Sequence, residues 1–448
     1  MWSGRLAFVL ASIGAAVGLG NIWKFPYTLG SSGGSAFVLV YVLAILLIAT
    51  PIMLSEMIIG RRSGRSAPSA MADVAIAEGR SPRWSWLGWM GLFALLLVLS
   101  FYSVIAGWSI AYLLKSVTGE LAGLSAAQTG ANFGAFLHQP MMMGVWHLLF
   151  TAVTVFIVAK GIRTGLERAV TWVMPALFLT LIGLVIYAAL TADFSQALAF
   201  LFTPDFSKLT AGVVLAAVGQ AFFSVNVGVG AVLTYSAYLP KDVNLYRSAL
   251  TISAGDTCVA LLAGLAIFPL VFAYGLDPAE GPGLVFVTLA TAFAQMPGGT
   301  IVGSAFFLML LFAALTSSLS MLETLTARAL EKPGATRGRA AMLIGCCTFV
   351  LGFVTVLSFS SWENVFPLNG IEALAGKTPF ELIDYLVSNV MMPLGGVLYA
   401  VFAGWFISKE VQIQELGVGS GGLYALWVLL ARYAAPVAVA LVFYFNLT

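Results

Sequence analysis

The sequence predicts an all-α polytopic membrane protein, with eleven transmembrane helices in a 5+5 inverted repeat whose helices 1 and 6 are broken. Three observations carry this. The chain of 448 residues is 60% hydrophobic and only 9% charged, where soluble domains carry about 25% charged residues. Apolar runs long enough to cross a bilayer follow one another along its whole length. Glycine clusters interrupt two of those runs mid-span, once in each half.

The first run, about residues 8–28, contains Gly14-Ala-Ala-Val-Gly-Leu-Gly-Asn21. Glycine lets the chain leave helical φ/ψ at little cost, and backbone groups freed at membrane depth must line protein rather than lipid. Runs two to five cover about 36–60, 86–117, 143–160 and 168–190, against the roughly 20 residues that a span needs. The sixth, about 211–239, holds the second break, Gln220-Ala-Phe-Phe-Ser-Val-Asn-Val-Gly-Val-Gly230. Runs seven to eleven cover about 246–276, 303–331, 338–358, 379–407 and 423–446. The third and eighth exceed the bilayer thickness and so tilt or extend into water.

Spans 1–5, about 8–190, and spans 6–10, about 211–407, each open on a broken helix, and an offset of five gives the two halves opposite topology. The eleventh span, about 423–446, falls outside the repeat and is expected at the periphery. No polar linker divides the chain, so residues 1–448 read as one domain. The first span lacks a small-residue cleavage site, so a cleaved signal peptide is not expected.

Charge sets the orientation. Lys115, Lys208 and Lys377 are the basic residues of one set of loops, Lys24 and Arg432 lie within spans, and the rest of the 21 Lys and Arg fall on the other side. The positive-inside rule then places the N-terminus in the cytoplasm and the C-terminus outside. A net charge of +2 suggests no polyanionic partner, so nucleic acid is not expected and membrane lipids are. Cys258, Cys346 and Cys347 show no disulfide pattern. His138 and His147 have no Cys or carboxylate at ligand spacing. Two histidines and no nucleophile–base cluster argue against an enzyme.

Unwound carbonyls and the ends of half-helices can hold a cation and an anionic substrate group together, the arrangement of a secondary transporter's central site. A pore lined by the same broken helices is the rival reading.

Three motifs then carry a resemblance: Gly14-Ala-Ala-Val-Gly-Leu-Gly-Asn-Ile-Trp-Lys-Phe-Pro26, Gly219-Gln-Ala-Phe-Phe-Ser224 and Ala313-Ala-Leu-Thr-Ser-Ser318. The chain resembles the neurotransmitter:sodium symporter family, in particular its bacterial amino-acid transporters of eleven-helix type. The resemblance covers spans 1–10. It implies two Na+ sites, the first made by Ala16, Asn21, Ser224 and Asp256 with the substrate carboxylate. The second would use Gly14, Val17, Ala313, Thr316 and Ser317. Hard cations need several oxygens to replace their water shell, and carbonyls and hydroxyls supply them without excess charge. In isolation, Thr316-Ser317-Ser318 also fits plain helix packing.

The implied substrate pocket is Leu19, Gly20, Val98, Tyr102, Phe223, Ser224, Asn226, Val229, Ser317 and Met321, with Tyr102 on the substrate carboxylate and Phe223 as an aromatic lid. Gly18 stands where the family's monoamine carriers have an aspartate, which favours a substrate bringing its own carboxylate. Val98, Val229 and Met321 make the pocket largely apolar. Asn226 replaces a small serine, and its amide would serve either a polar substrate atom or the unwound backbone. Lys24 and Asp384 match an outer gate, with Gln220 nearby, and Trp2, Tyr238 and Glu331 match inner-gate positions, where the family's N-terminal arginine would fall before Met1 and the expected pair is left incomplete. Gates at both faces argue against the pore.

An intramembrane carboxylate is costly and usually functional. The family's leucine transporter has asparagine at the position of Asp256 and a glutamate one turn later. Chloride-dependent animal members have asparagine and then serine, and chloride supplies the negative charge. Here Asp256 is followed one turn later by Ala260, so Asp256 is expected to supply that charge and chloride is not expected to be required. A proton could take sodium's place on it and return as counter-transport. Glu56 is expected to accept hydrogen bonds from backbone freed by the second break, while Glu323 and Arg432 have no assignable place.

The expected function is sodium-coupled import of neutral, hydrophobic or aromatic L-amino acids across the plasma membrane, with homo-oligomerisation left open. The alternatives are a sodium-dependent transporter of another small carboxylate-bearing zwitterion and a non-transporting amino-acid sensor.

Overall fold

A computed structural model describes residues 5–279, 283–371 and 374–447; Trp2 lies outside them. The described residues form helices and turns, with no strand among them. The helices that build the bundle are α1 (Arg5–Ala16), α2 (Gly20–Ser31), α3 (Ser35–Ser63), α4 (Pro82–Val117), α5 (Pro140–Ala159) and α6 (Ile162–Thr191). They continue as α7 (Ala211–Ser224), α8 (Ala231–Ser236), α9 (Leu245–Ala273), α10 (Gly299–Leu330), α11 (Arg337–Ser358), α12 (Pro379–Phe406) and α13 (Gly422–Leu441).

Among the described residues, nine helices are long and apolar enough to cross a membrane, and the α1–α2 pair, bent by 43°, makes a tenth. The sequence expects eleven. The difference lies in the second broken segment, whose halves α7 and α8 are each too short to count as a span. Between them the chain leaves helical geometry, with positive φ at Asn226, Gly228 and Gly230. Gly228 has a second constraint: a Cβ there would come within 2.1 Å of the Met392 carbonyl.

Side chains start the helices where the sequence supplies polar caps. Thr210 accepts from Val213 N ahead of α7, and Asn244 accepts from Arg247 N ahead of α9. Thr378 and Glu381 form a reciprocal capping box ahead of α12, pairing donors that a helix start leaves free. The long α4 and α10 pack on each other at the centre, α5 and α11 lie against α4, and the broken pairs sit against α3, α9 and α10. α4 buries 83% of its most apolar window and α13 only 28%, so α13 lies at the edge of the bundle.

Candidate functional site

The two breaks face each other, and their freed backbone groups are answered by specific side chains. Gly18 N donates to Asn21 Oδ1 at 3.0 Å, and Leu19 N to Tyr102 Oη at 2.9 Å. Gln220 Nε2 donates to the Gly20 carbonyl at 2.7 Å. At the second break, Gly228 N donates to Glu56 Oε1 at 2.5 Å and Leu233 N to Glu56 Oε2 at 3.3 Å. Glu56 is completely buried, and these bonds meet the rule that buried donors stay paired.

A cluster of oxygens joins α2, α3, α7 and α9. Asn21 Nδ2 donates to Asp256 Oδ1 at 2.8 Å, to the Asp256 carbonyl at 3.1 Å and to Ser224 Oγ at 2.9 Å. Ser224 Oγ donates to Asp256 Oδ2 at 2.6 Å. Tyr41 Oη donates to the same oxygen at 3.2 Å. Asn21 thus turns its nitrogen to the carboxylate while its Oδ1 accepts from Gly18 N. Sequence reasoning missed Tyr41, whose one signal is a phenol in an apolar run, which reads equally as aromatic packing against Phe25 and Phe37.

A second cluster lies where α1 meets α10. Ser317 Oγ is 3.1 Å from the Val17 carbonyl and 3.4 Å from that of Gly14. Thr316 Oγ1 is 3.0 Å from the Ala313 carbonyl and 3.4 Å from that of Val17. Three carbonyls and two hydroxyls therefore converge without a formal charge, the donor set a monovalent hard cation accepts.

Between the clusters is a small cavity. Of the residues expected to line it, Gly20, Val98, Tyr102, Phe223, Asn226, Ser317 and Met321 do so, joined by Ala15, Ala16, Gly18 and Met392. Leu19, Ser224 and Val229 do not line it. Leu19 contributes its N–H to Tyr102, Ser224 belongs to the Asp256 cluster, and Val229 presses its backbone on α4, where a Cβ on Gly91 would come within 2.5 Å of its carbonyl. Met392 reads in sequence as one of many packing methionines. A Cβ on Gly18 would fall 2.3 Å from Ser317 Oγ and 2.4 Å from Tyr102 Oη, so the wall has no room for a side chain.

Phe223 borders this cavity and a larger one lined also by Trp23, Lys24, His138, Glu363 and Asp384. Lys24 Nζ lies 3.0 Å from Asp384 Oδ1, 3.3 Å from Ser388 Oγ and 4.3 Å from the centroid of the Phe223 ring. At the mouth, His138 Nε2 is 3.3 Å from Glu363 Oε2. Its Nδ1 meets the Gly134 carbonyl at 2.8 Å. That carbonyl and the Glu363 charge hold the His138 imidazole above its usual range.

At the opposite end, Tyr238 and Glu331 do not meet. Tyr238 Oη donates to Glu323 Oε1 at 3.2 Å, and Arg337 Nη1 donates to Glu323 Oε2 at 2.5 Å, which gives Glu323 a partner the sequence could not supply. Glu331 instead accepts from Ser66 N at 2.8 Å and Ser69 Oγ at 2.5 Å, and pairs with Arg328 at 3.1 Å and Arg65 at 3.6 Å. Burial works to raise the Glu331 carboxyl, but the Ser69 and Ser66 hydrogen bonds and the Arg65 charge outweigh it and hold the group below its usual value. Arg432 donates to the Gly404 carbonyl and lies over Trp405, a packing position far from the cavity residues in sequence and contact.

A helical membrane bundle with two facing breaks, oxygen clusters beside a central cavity and charged residues at both ends is that of a transporter. A profile of the sodium:neurotransmitter symporter family matches residues 1–134 and 131–447. The chain is 41% identical over 447 residues to an uncharacterised sodium-dependent transporter, YhdH, of Bacillus subtilis, covering 99% of this chain and 96% of that one. It is 34% identical over 455 residues to an uncharacterised sodium-dependent transporter of Haemophilus influenzae, covering 100% and 98%. Among solved structures it is similar to MhsT in complex with L-phenylalanine, with a TM-score of 0.92, 41% identity, and coverage of 100% of this chain and 99% of that one. The chain belongs to the sodium:neurotransmitter symporter family, and is a sodium-dependent membrane symporter.

Proposed function

We propose that this symporter imports neutral, hydrophobic or aromatic L-amino acids with sodium by alternating access. The observation that carries the reading is the central cavity with an oxygen cluster on each side and the Leu19 N–Tyr102 Oη pair in its wall. Tyr102 and the helix 1 break receive the substrate carboxylate, and Val98, Met321, Met392 and Phe223 receive an apolar side chain. That the similar MhsT was solved with L-phenylalanine supports this substrate class.

Ala16, Asn21, Ser224 and Asp256 hold one sodium with the substrate carboxylate, and Gly14, Val17, Ala313, Thr316 and Ser317 hold the other. Sodium is cargo here, and its gradient supplies the work. Asp256 brings the negative charge that makes chloride unnecessary, and a proton that replaces sodium on it returns as counter-transport. Lys24–Asp384 and Phe223 close the outer side. Tyr238, Glu323, Arg337 and Glu331 close the inner side. Counting α7–α8 as one broken span gives eleven, in one domain with two inverted five-helix halves, the N-terminus in the cytoplasm and the C-terminus outside.

The test is competition by all twenty L-amino acids against one labelled hydrophobic substrate on purified protein, in sodium and in potassium. Displacement by Leu, Met, Phe, Tyr or Trp in sodium alone is expected. No sodium-dependent displacement would overturn the substrate class, and uptake abolished by replacing chloride with gluconate would overturn chloride independence.

A further inference from the structure

A further cavity, of about 560 Å³, lies between the end of α4, the helix Ala126–Leu137 and the start of α5. Gln139 lines it, while the adjoining His138 lines the larger cavity beside Lys24 and Asp384, so both open at the same end of the bundle. Its lining changes character along the helices. Glu120 and Gln139 lie just past the helix ends, and Leu114, Met142 and Trp146 lie inside them. Leu114 and Met142 are 46% and 44% exposed, so this apolar wall runs out onto the flank of α4 and α5 that faces lipid.

Two opposite charges stand at the polar end. Lys115 is half-buried there. Its Nζ donates to Asn132 Oδ1 and lies 5.5 Å and 5.7 Å from the ring centroids of Tyr112 and Phe136, within reach of cation–π attraction. These contacts hold the ammonium in place and use only one of its three N–H donors. Glu120 is exposed and accepts from Thr118 Oγ1 at 3.2 Å. Among the described residues neither charge belongs to an ion pair, with the other or elsewhere. A cation and a carboxylate therefore line one cavity, held apart, at the head of an apolar wall.

A zwitterionic phospholipid headgroup carries the matching charges. We propose that this cavity binds phosphatidylethanolamine. The phosphate oxygens accept from the free N–H donors of Lys115, and the primary ammonium donates to Glu120. An acyl chain lies along Leu114, Met142 and Trp146, the indole standing at headgroup level as tryptophans at membrane interfaces do. A choline headgroup has no N–H for Glu120, and a glycerol headgroup brings no cation. Neither answers the carboxylate, so the site discriminates by charge pattern rather than by net charge.

The experiment reconstitutes the full-length protein in an equimolar mixture of phosphatidylethanolamine, phosphatidylglycerol and phosphatidylcholine with identical chains. The protein is then extracted in mild detergent and its retained lipid weighed by native mass spectrometry. The wild type should retain phosphatidylethanolamine about five-fold over phosphatidylcholine, the size of one exposed charge contact. Glu120→Gln should bring phosphatidylethanolamine down to the level of phosphatidylcholine and leave phosphatidylglycerol unchanged. Lys115→Gln should lower phosphatidylethanolamine and phosphatidylglycerol together. Lys115→Arg should restore both, which separates lost charge from lost packing on Tyr112 and Phe136. Equal retention of the three lipids by the wild type, or a preference that neither glutamine variant alters, overturns the site. Phosphatidylglycerol retained above phosphatidylethanolamine overturns the zwitterionic headgroup and leaves Lys115 as a contact for anionic lipid.

Discussion

Lys24 reaches from the first broken helix to Asp384 on α12, Nζ to Oδ1 in 3.0 Å, while its ammonium lies 4.3 Å from the ring centroid of Phe223. One cation thus ties the ion pair to the ring that separates the central cavity from the larger one. The side chains are 15% and 29% exposed, so screening keeps the pair to about 1 kcal/mol, or roughly five-fold in an equilibrium. Lys24→Met should speed release of bound substrate about five-fold and lower uptake. Lys24→Arg should restore both, since the guanidinium forks onto a carboxylate. Release rates from sodium-loaded protein check this, and an unchanged rate in Lys24→Met would remove the pair from the gate.

Gly18 is held by space rather than by its own φ. With Ser317 Oγ 2.3 Å and Tyr102 Oη 2.4 Å from any Cβ, Gly18→Ala must displace the phenol that takes the Leu19 N–H, or the hydroxyl beside Val17. Both rearrangements strike the cavity wall and the Thr316–Ser317 cluster together. Substrate and sodium affinity should each fall by about ten-fold or more, as when a buried hydrogen bond is broken. Isothermal binding at varied sodium measures the two separately. Normal affinity for both would mean that the wall yields.

Much of this was legible in the sequence, because periodicity and glycine placement act locally. Gly14 to Asn21 announces a break wherever it falls in an apolar run, and the partner positions Thr316 and Ser317 follow from a motif. What stayed hidden depends on distance across the fold. Tyr41 and Met392 are ordinary apolar-span residues until α3 and α12 bring them to α9 and the cavity. Glu323 has no visible partner in the sequence because Arg337 starts another helix, and Tyr238, expected with Glu331 at the inner gate, gives its hydroxyl to Glu323 within α10. The short α7 and α8 hid a span from a length criterion for the reason that makes the segment useful: Asn226, Gly228 and Gly230 hold it open.

His138 and Glu363 join two loops across the mouth of the larger cavity at 3.3 Å. The Gly134 carbonyl and the Glu363 charge raise the imidazole above its ordinary 6.5, so the charged form is favoured in the folded protein. Its contribution is complete below 6.5 and is lost as pH rises through the raised folded value. Proteolytic nicking of the 359–378 loop should therefore be slower at pH 5.5 than at pH 8.5, conditions set on either side of the usual range of about 6.5. Glu363→Gln should flatten that difference, and a pH effect of the same size in Glu363→Gln would place its origin elsewhere.

Asp256 offers the sharpest separation of charge from hydrogen bonding. Its Oδ1 accepts from Asn21, and its Oδ2 from Ser224 and Tyr41. Asp256→Asn keeps the shape. The two hydroxyls can turn to accept from the new amide, so packing and most of the bonding survive while the charge is lost. A unit charge about 4 Å from a cation is worth up to roughly 4 kcal/mol at an effective dielectric of 20. Competition from water and the remaining oxygens reduces that, and sodium affinity should fall by about ten- to a hundred-fold. The melting temperature without sodium should shift by no more than a few degrees, as for a loss below about 1 kcal/mol. Sodium titrations of L-phenylalanine binding, paired with thermal melts, read the two effects independently. A large melting shift with unchanged sodium affinity would make Asp256 a structural carboxylate holding α9 to α2, and the negative charge for the cation would have to come from the substrate alone.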